Sequence, residues 1–416
     1  MSVATACSAI QNNPDVALRS ANLSRLSSEH PESPVTLVLQ STMTRANFLD
    51  QPDTVGEKES VADAVLPRST QLLKQYPMRA PTADASAIYR YRDSLAAVDA
   101  LAAAVIHLDL FTELAREPGD LAAVCQRLSI QPRPADALCT LLIANGLLRR
   151  DKDGVLELTN ASHEFLVTGS PFNARAYYAS MADKPGVADF LKVLQTGRPA
   201  NWPGQEGEGD WHAAMQTNEF AEAFTAAMDC RGRILGPALS TAIEGSLLGQ
   251  LLDIGGGSGV YSIAIAEAYP SLQATILEAP LVDVIAGRTI HAAGLDHRID
   301  VMTADLFEDT WPTGYDTHLF SNVLHDWDEP ECRRLLEQSV ASLTADGRII
   351  IHDMLLNDDK SGPLWAAEYS VLLTTVTRGR LYSAAEIGHW LAELGFRITH
   401  QAPTALGRSV LTATKW

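Results

Sequence analysis

Residues 251–280 read LLDIGGGSGVYSIAIAEAYPSLQATILEAP, and the order of residue types in them decides the fold. An apolar run ends in Asp253, the glycine-rich GGGSG occupies 255–259, an apolar stretch of helical length follows, and a second apolar run closes on Glu278. Strand, glycine turn, helix, strand is the opening unit of a doubly wound α/β sheet. Ligands of such a sheet sit beyond the carboxyl ends of its strands, so Gly255, Gly257 and Glu278 are expected to face one crevice.

The ligand follows from the charges. Glycines let the backbone approach closely, and the next helix directs its first N–H groups at the same place. A carboxylate at the tip of the second strand suits a ribose diol, since it accepts from both hydroxyls. A nicotinamide dinucleotide would use the same logic, but its G-x-G-x-x-G fits imperfectly: counted from Gly255 the third position is Val260, and from Gly257 it is Ser262. Asp253 would repel a pyrophosphate and attract an ammonium, directly or through water. S-adenosylmethionine has an ammonium, a ribose and no phosphate, and is the cofactor expected. In TADLFED (303–309), Asp305 can accept from the adenine amino group while Leu306 and Phe307 pack on the base, with a helix cap as the alternative for Asp305.

Further strands are expected at 298–302, 315–320, 347–353, 396–401 and 409–414, besides 250–254 and 273–277. Upstream, apolar residues recur at helical spacing from Ser86, and helical stretches are expected at about 171–197 and 210–245. Between them, PGDLAAVCQRLSI, PRPADALCTLLIANG and LLRRDKDGVLELT spell helix, helix and a hairpin turning at Asp153-Gly154, which is winged-helix grammar. A helix that reads DNA presents Arg, Lys, Asn or Gln, whereas 134–145 is almost wholly apolar, so burial against a second subunit is expected instead. The division is then 1–80, a mobile or partner-docking extension rich in Ser, Thr, Asn, Gln and Pro, with short helices at 35–43 and around 62–73; 81–200, a helical dimerisation domain; 201–245, connecting and pocket helices; and 246–416, the cofactor-binding catalytic domain.

The 416 residues carry a formal charge of −19, which repels nucleic acid and anionic membranes. No uninterrupted apolar run approaches the roughly 20 residues of a membrane span. The five cysteines are scattered, with no CxxC pair, and the N-terminus lacks the basic start and apolar stretch of a secretory signal, so a cytoplasmic location is expected.

DIGGGSG (253–259), ILEAP (276–280), ADLFED (304–309) and above all NVLHDWDEPECRRLL (322–336) resemble the class I methyltransferases of small-molecule hydroxyls, the two-domain family of caffeate, acetylserotonin and polyketide-tailoring O-methyltransferases. The likeness covers about residues 85–416. It implies a C-terminal Rossmann-like domain with a winged-helix dimerisation domain before it, a homodimer, and methyl transfer from S-adenosylmethionine to an aromatic or polyketide-like acceptor. It places the general base at His325, next to Asp326, with Asp353 orienting the imidazole, a locally bonded helix-entry residue being the alternative for His325; it puts Trp327 beside the adenine, core being its alternative, and Ser321 is a further candidate cofactor residue. A histidine titrating near neutrality suits removal of a phenolic or enolic proton. Asp328 and Glu329 are expected to cap the following helix.

The acceptor pocket is expected between FAEAFTAAMDCRGRILG (220–236) and PLWAAEYSVLLTTVTRG (363–379). The resemblance sets Met228 near the reacting methyl, and Trp365, Glu368, Tyr369 and Leu372 are candidate walls, core packing being the alternative for each. One departure stands out: many family members carry a supporting glutamate before an Arg-Thr pair, where this chain has Leu381 and Tyr382. That keeps carbon methylation, or a pericyclic or hydroxylating reaction without methyl transfer, as the rival chemistry. A metal site is not expected, because His352 and Asp353, adjacent on one strand, point opposite ways.

Overall fold

The computed structural model describes residues 78–200, 214–243 and 249–416, all within one compact unit, Leu66–Trp416. The expected short helices at 35–43 and 62–73, and the role assigned to the first 80 residues up to position 77, lie outside the described residues.

Seven strands form the sheet: β3 (Gln250–Ile254), β4 (Gln273–Glu278), β5 (Ile299–Thr303), β6 (Thr317–Ser321), β7 (Arg348–Met354), β8 (Phe396–Pro403) and β9 (Arg408–Lys415). Their order is β5-β4-β3-β6-β7-β9-β8, with β9 antiparallel to both its neighbours and the first five strands parallel. The expected strands match these within two residues at each end. The chain reverses direction across the sheet between β3 and β6, so the carboxyl ends of these two strands flank the crevice where such folds bind ligands. Register aligns Glu278 with Thr303 and Ser321 with His352, bringing four strand ends to one level.

Upstream lie α1 (Ser86–Asp93), α2 (Ala97–Ile106), α3 (Leu110–Arg116), α4 (Leu121–Leu128), α5 (Pro132–Ala144), the hairpin β1 (Leu148–Arg150) and β2 (Leu156–Leu158), α6 (Asn160–Phe165), α7 (Arg175–Tyr178) and α8 (Pro185–Thr196). Asp120 caps α4 by accepting from the Ala123 N–H at 2.8 Å. Proline at the start of α5, where its missing N–H costs nothing, begins that helix, and Gly146 at φ +69° ends it.

The apolar face of α5 is covered by its own chain, which corrects the expectation that another subunit buries it. Leu138, Leu141 and Leu142 are fully buried in a cluster with Ala367 and Val371 of α13 (Leu364–Val376). Burial of each such leucine is worth roughly 1.5–3 kcal/mol, enough to hold α5 on the catalytic half of the chain.

The remaining helices are α9 (Asn218–Ala242), α10 (Val260–Ala268), α11 (Val282–Ala293), α12 (Glu329–Ser342) and α14 (Ala384–Glu393). A Cβ on Gly236 of α9 would lie 2.8 Å from the Ala264 Cβ of α10, so glycine there lets the two helices meet. Asp328 caps α12 in partnership with Glu331 rather than Glu329: its carboxylate accepts from the Glu331 N–H at 3.0 Å, and the Glu331 carboxylate accepts from the Asp328 N–H. No single described helix is long and apolar enough to cross a membrane.

Candidate active site

The strand ends, α9 and α13 enclose a cavity of about 700 Å³. Its first half is the glycine turn. Gly257 has φ +60° and nothing within 4 Å of where a Cβ would stand, so its backbone faces open space. The Gly257 and Ala279 N–H groups each donate to the Glu278 carboxylate at 2.8 Å, fixing an acid on the cavity wall at the tip of β4. Burial raises the Glu278 pKa, against the pull of those two N–H groups.

Gly255, Asp305, Leu306, Phe307, Ser321 and Trp327 line the same cavity. The Phe307 and Trp327 rings meet edge to face, 4.6 Å between centroids. Asp305 also performs the capping alternative, its Oδ1 accepting from the Phe307 and Glu308 N–H groups at 2.8 and 3.1 Å.

Asp253 is placed differently from a direct ligand contact. It is wholly buried under the turn, off the cavity wall, and its Oδ2 accepts from the Ser262 hydroxyl at 2.7 Å while Oδ1 has no partner. Burial, aided by the nearby Glu278, raises its pKa to about 7. The acid that does reach the cavity beside the turn is Asp229 of α9, whose carboxylate accepts from the Ser258 hydroxyl and whose pKa burial raises to about 6.

The second half of the site holds the imidazole. His325, in a short 3-10 turn (Leu324–Asp326) after β6, is 3% exposed yet on the cavity wall, and its Nδ1 lies 2.6 Å from Asp353 Oδ1 at the end of β7. Asp326 Oδ1 stands 3.7 Å from Nε2, so a second carboxylate approaches the ring from the residue next in chain. Burial opposes the imidazolium, but Asp353, Tyr369 and Asp326 outweigh it and raise the His325 pKa to about 9. Asp353 is correspondingly lowered, burial being overcome by His325, while burial raises Asp326 to about 6. His352 points the other way, its ring nitrogens at 3.0 Å from the Ser321 hydroxyl and 2.9 Å from Thr404 Oγ1, and burial lowers it to about 3. Among the described residues no group of three or more His, Cys, Asp or Glu is arranged to hold a metal ion.

Met228, Tyr369 and Leu372 line the cavity, but Trp365 and Glu368 do not. Both turn toward α1: the Trp365 indole donates to Asp93 at 3.2 Å, and Glu368 pairs with Arg90 at 3.0 Å. As walls of the acceptor pocket they are corrected to packing and ion pairing. Leu381 is fully buried in a cluster with Met354, Tyr369 and Leu372. Sequence reasoning missed Asp229, Arg231, Tyr261 and Asn322, all on the cavity wall. Asn322, at φ +56°, donates to the Tyr261 hydroxyl at 2.9 Å and accepts from Arg408 at 3.1 Å. Its place in NVLHDW, beside His325, was the available signal.

The model of an O-methyltransferase domain family matches residues 188–397. This chain belongs to that O-methyltransferase family. A 3-hydroxy-5-methyl-1-naphthoate 3-O-methyltransferase of Streptomyces sahachiroi is 33% identical over 70% of this O-methyltransferase and 84% of the relative. An L-tyrosine C(3)-methyltransferase of Streptomyces lavendulae is 31% identical, over 70% and 82%. Among solved structures, an O-methyltransferase family 2 protein from Planctomyces limnophilus in complex with apigenin superposes with a TM-score of 0.73 at 30% identity, covering 82% of this chain and 98% of that one. The human N-acetylserotonin methyltransferase in complex with S-adenosylmethionine shares the fold, at 23% identity and a TM-score of 0.50 over 81% and 99%. By family the enzyme is a methyltransferase.

Proposed function

We propose that this O-methyltransferase methylates a phenolic or enolic hydroxyl of an aromatic or polyketide-like small molecule, with His325 as general base. The observation that carries the reading is the buried His325–Asp353 pair on the wall of the cavity that also holds the glycine turn and Glu278.

The residues present fit the cofactor. Glu278 would accept from the ribose hydroxyls of S-adenosylmethionine, Gly255 and Gly257 would allow close backbone approach, Leu306, Phe307, Trp327 and Asp305 would hold the adenine, and Ser321 lines the same cavity. Asp229 faces the turn as the acid for an ammonium, with Asp253 below it, its Oδ1 unsatisfied. When bound, S-adenosylmethionine supplies an electrophilic methyl group on a sulfonium. Asp353 accepts from the Nδ1–H of His325 and so leaves Nε2 to take the acceptor's proton. Met228 and Leu372 give a flat acceptor an apolar seat and keep water from it.

Carbon methylation is the second reading. A relative at 31% identity is a tyrosine C-methyltransferase, and Leu381 replaces the family's supporting acid. Incubation with methyl-labelled S-adenosylmethionine and hydroxynaphthoates, followed by fragmentation of the products, separates the two: loss of label with a methoxy group supports oxygen, and label retained on the ring overturns it.

We carry two further features as proposals. The exposed Ile88, Tyr91, Leu95 and Val98 of the helical region support a homodimer, measurable by sedimentation equilibrium. The free cysteines 125, 139, 230 and 332 support a reducing, cytoplasmic setting, which fractionation of cells tests.

A further inference from the structure

Arg231 has no task in the chemistry above. It lies on α9 one turn beyond Met228, 6% exposed, on the cavity wall. One terminal nitrogen donates to the Tyr369 hydroxyl at 3.0 Å and the other to the Met228 thioether, a weak acceptor, at 3.2 Å. Its Nε has no partner, and among the described residues it forms no ion pair. Asp93 and Asp326 act on it only through space, and Asp93 is engaged by the Trp365 indole. A second buried guanidinium, Arg408, adds to the positive field: both flank the Tyr369 ring, 5.7 and 5.4 Å from its centroid, and one Arg408 nitrogen is also unpartnered. A guanidinium kept buried without a contacting counter-ion is costly, and a site with an open wall recovers that cost when an anion enters.

We propose that Arg231 anchors a carboxylate on the acceptor, so that the acceptors are hydroxyaromatic acids. The proposal rests on the methyl-transfer reading and names its substrate class. Position favours the acceptor over the cofactor's own carboxylate. Asp229 looks toward the glycine turn through Ser258, whereas Arg231 looks toward Tyr369, whose ring lies edge-on to His325 at 5.7 Å. An acceptor with its hydroxyl at His325 therefore directs a neighbouring ring substituent at Arg231. Arginine suits that duty because its planar fork matches a carboxylate.

The test uses the full chain saturated with S-adenosylhomocysteine and calorimetric binding of hydroxybenzoic and hydroxynaphthoic acids against their methyl esters. The acids bind about tenfold or more tightly than the esters. Arg231→Gln removes that difference while ester and S-adenosylhomocysteine affinities hold, and Arg231→Lys retains part of it. Equal binding of acid and ester by the unaltered enzyme, or binding of no acid, overturns the proposal without need of a variant. Weakened S-adenosylhomocysteine binding in Arg231→Gln assigns the guanidinium to the cofactor and overturns it as well. Turnover of the same compounds reads the other claim: acid-selective binding with no label on oxygen overturns the hydroxyl-methylation reading and leaves the anchor standing.

Discussion

The Nδ1 of His325 and the Oδ1 of Asp353 lie 2.6 Å apart, both side chains almost wholly buried, one in the turn that follows β6 and the other at the end of its parallel neighbour β7. An imidazole held this way has one tautomer and one orientation, and the anion beside it sets its affinity for protons.

Replacement of His325 separates chemistry from binding. His325→Ala is expected to lower turnover by about 10²–10⁴ while S-adenosylmethionine affinity, read by calorimetry, stays near that of the unaltered enzyme. A parallel loss of affinity would make His325 a structural element of the cofactor site.

The pH dependence has a definite sign. With its pKa raised to about 9, His325 holds a proton at neutrality, so turnover rises with pH toward 9 as the ring becomes able to accept one. Asp353→Asn removes the strongest support of the imidazolium and moves that rising limb to lower pH, besides reducing the maximum. The same elevation means the folded state binds this proton more tightly than the unfolded chain. Its stabilisation is fully present below about pH 6.5 and lost on the way to 9. Thermal melts across that window should fall with rising pH in the unaltered enzyme and flatten in Asp353→Asn.

Glu278→Gln keeps the size of the side chain and removes its charge. Cofactor affinity is expected to fall about ten- to a hundredfold, the value of a charge-assisted hydrogen bond to a hydroxyl, with a smaller change in turnover at saturation. Unchanged calorimetric affinity would remove Glu278 from the ribose role.

Gly379 ties the loop after α13 to the His325 turn. A Cβ there would stand 2.6 Å from the Trp327 nitrogen and closer still to the His325 carbonyl, so Gly379→Ala must displace the backbone that carries the imidazole. Turnover is expected to drop at least tenfold. Cofactor binding should change little, and a full-activity variant would show that the turn yields freely.

Much of this was legible in the sequence because central strands such as β3 and β7, buried on both faces, read as apolar runs. The winged-helix segment was legible too, at α4, α5 and the β1–β2 hairpin; the breaks between α1, α2 and α3 were not, since the alanine-rich run from Ala96 carries no breaker. The chain turns at Asp109, φ +46°, where α3 begins. Trp365 and Glu368 were misplaced for a related reason: α13 is apolar nearly all round, so periodicity could not show which face meets the cavity. Arg231 was invisible because arginine is normally exposed, and only the structure shows one buried on the wall.

Packing of α5 on α13 offers a stability test remote from the chemistry. Leu138→Ala should destabilise the fold by about 2–5 kcal/mol in urea titration while sparing cofactor contacts.

The most direct measurement compares the unaltered enzyme with His325→Ala on phenolic acceptors of graded acidity. If His325 takes the proton, the penalty is about 10²–10⁴ for an unsubstituted phenol and shrinks to less than about tenfold for a nitrophenol already ionised at the assay pH. A penalty that is the same along the whole series would contradict the base assignment.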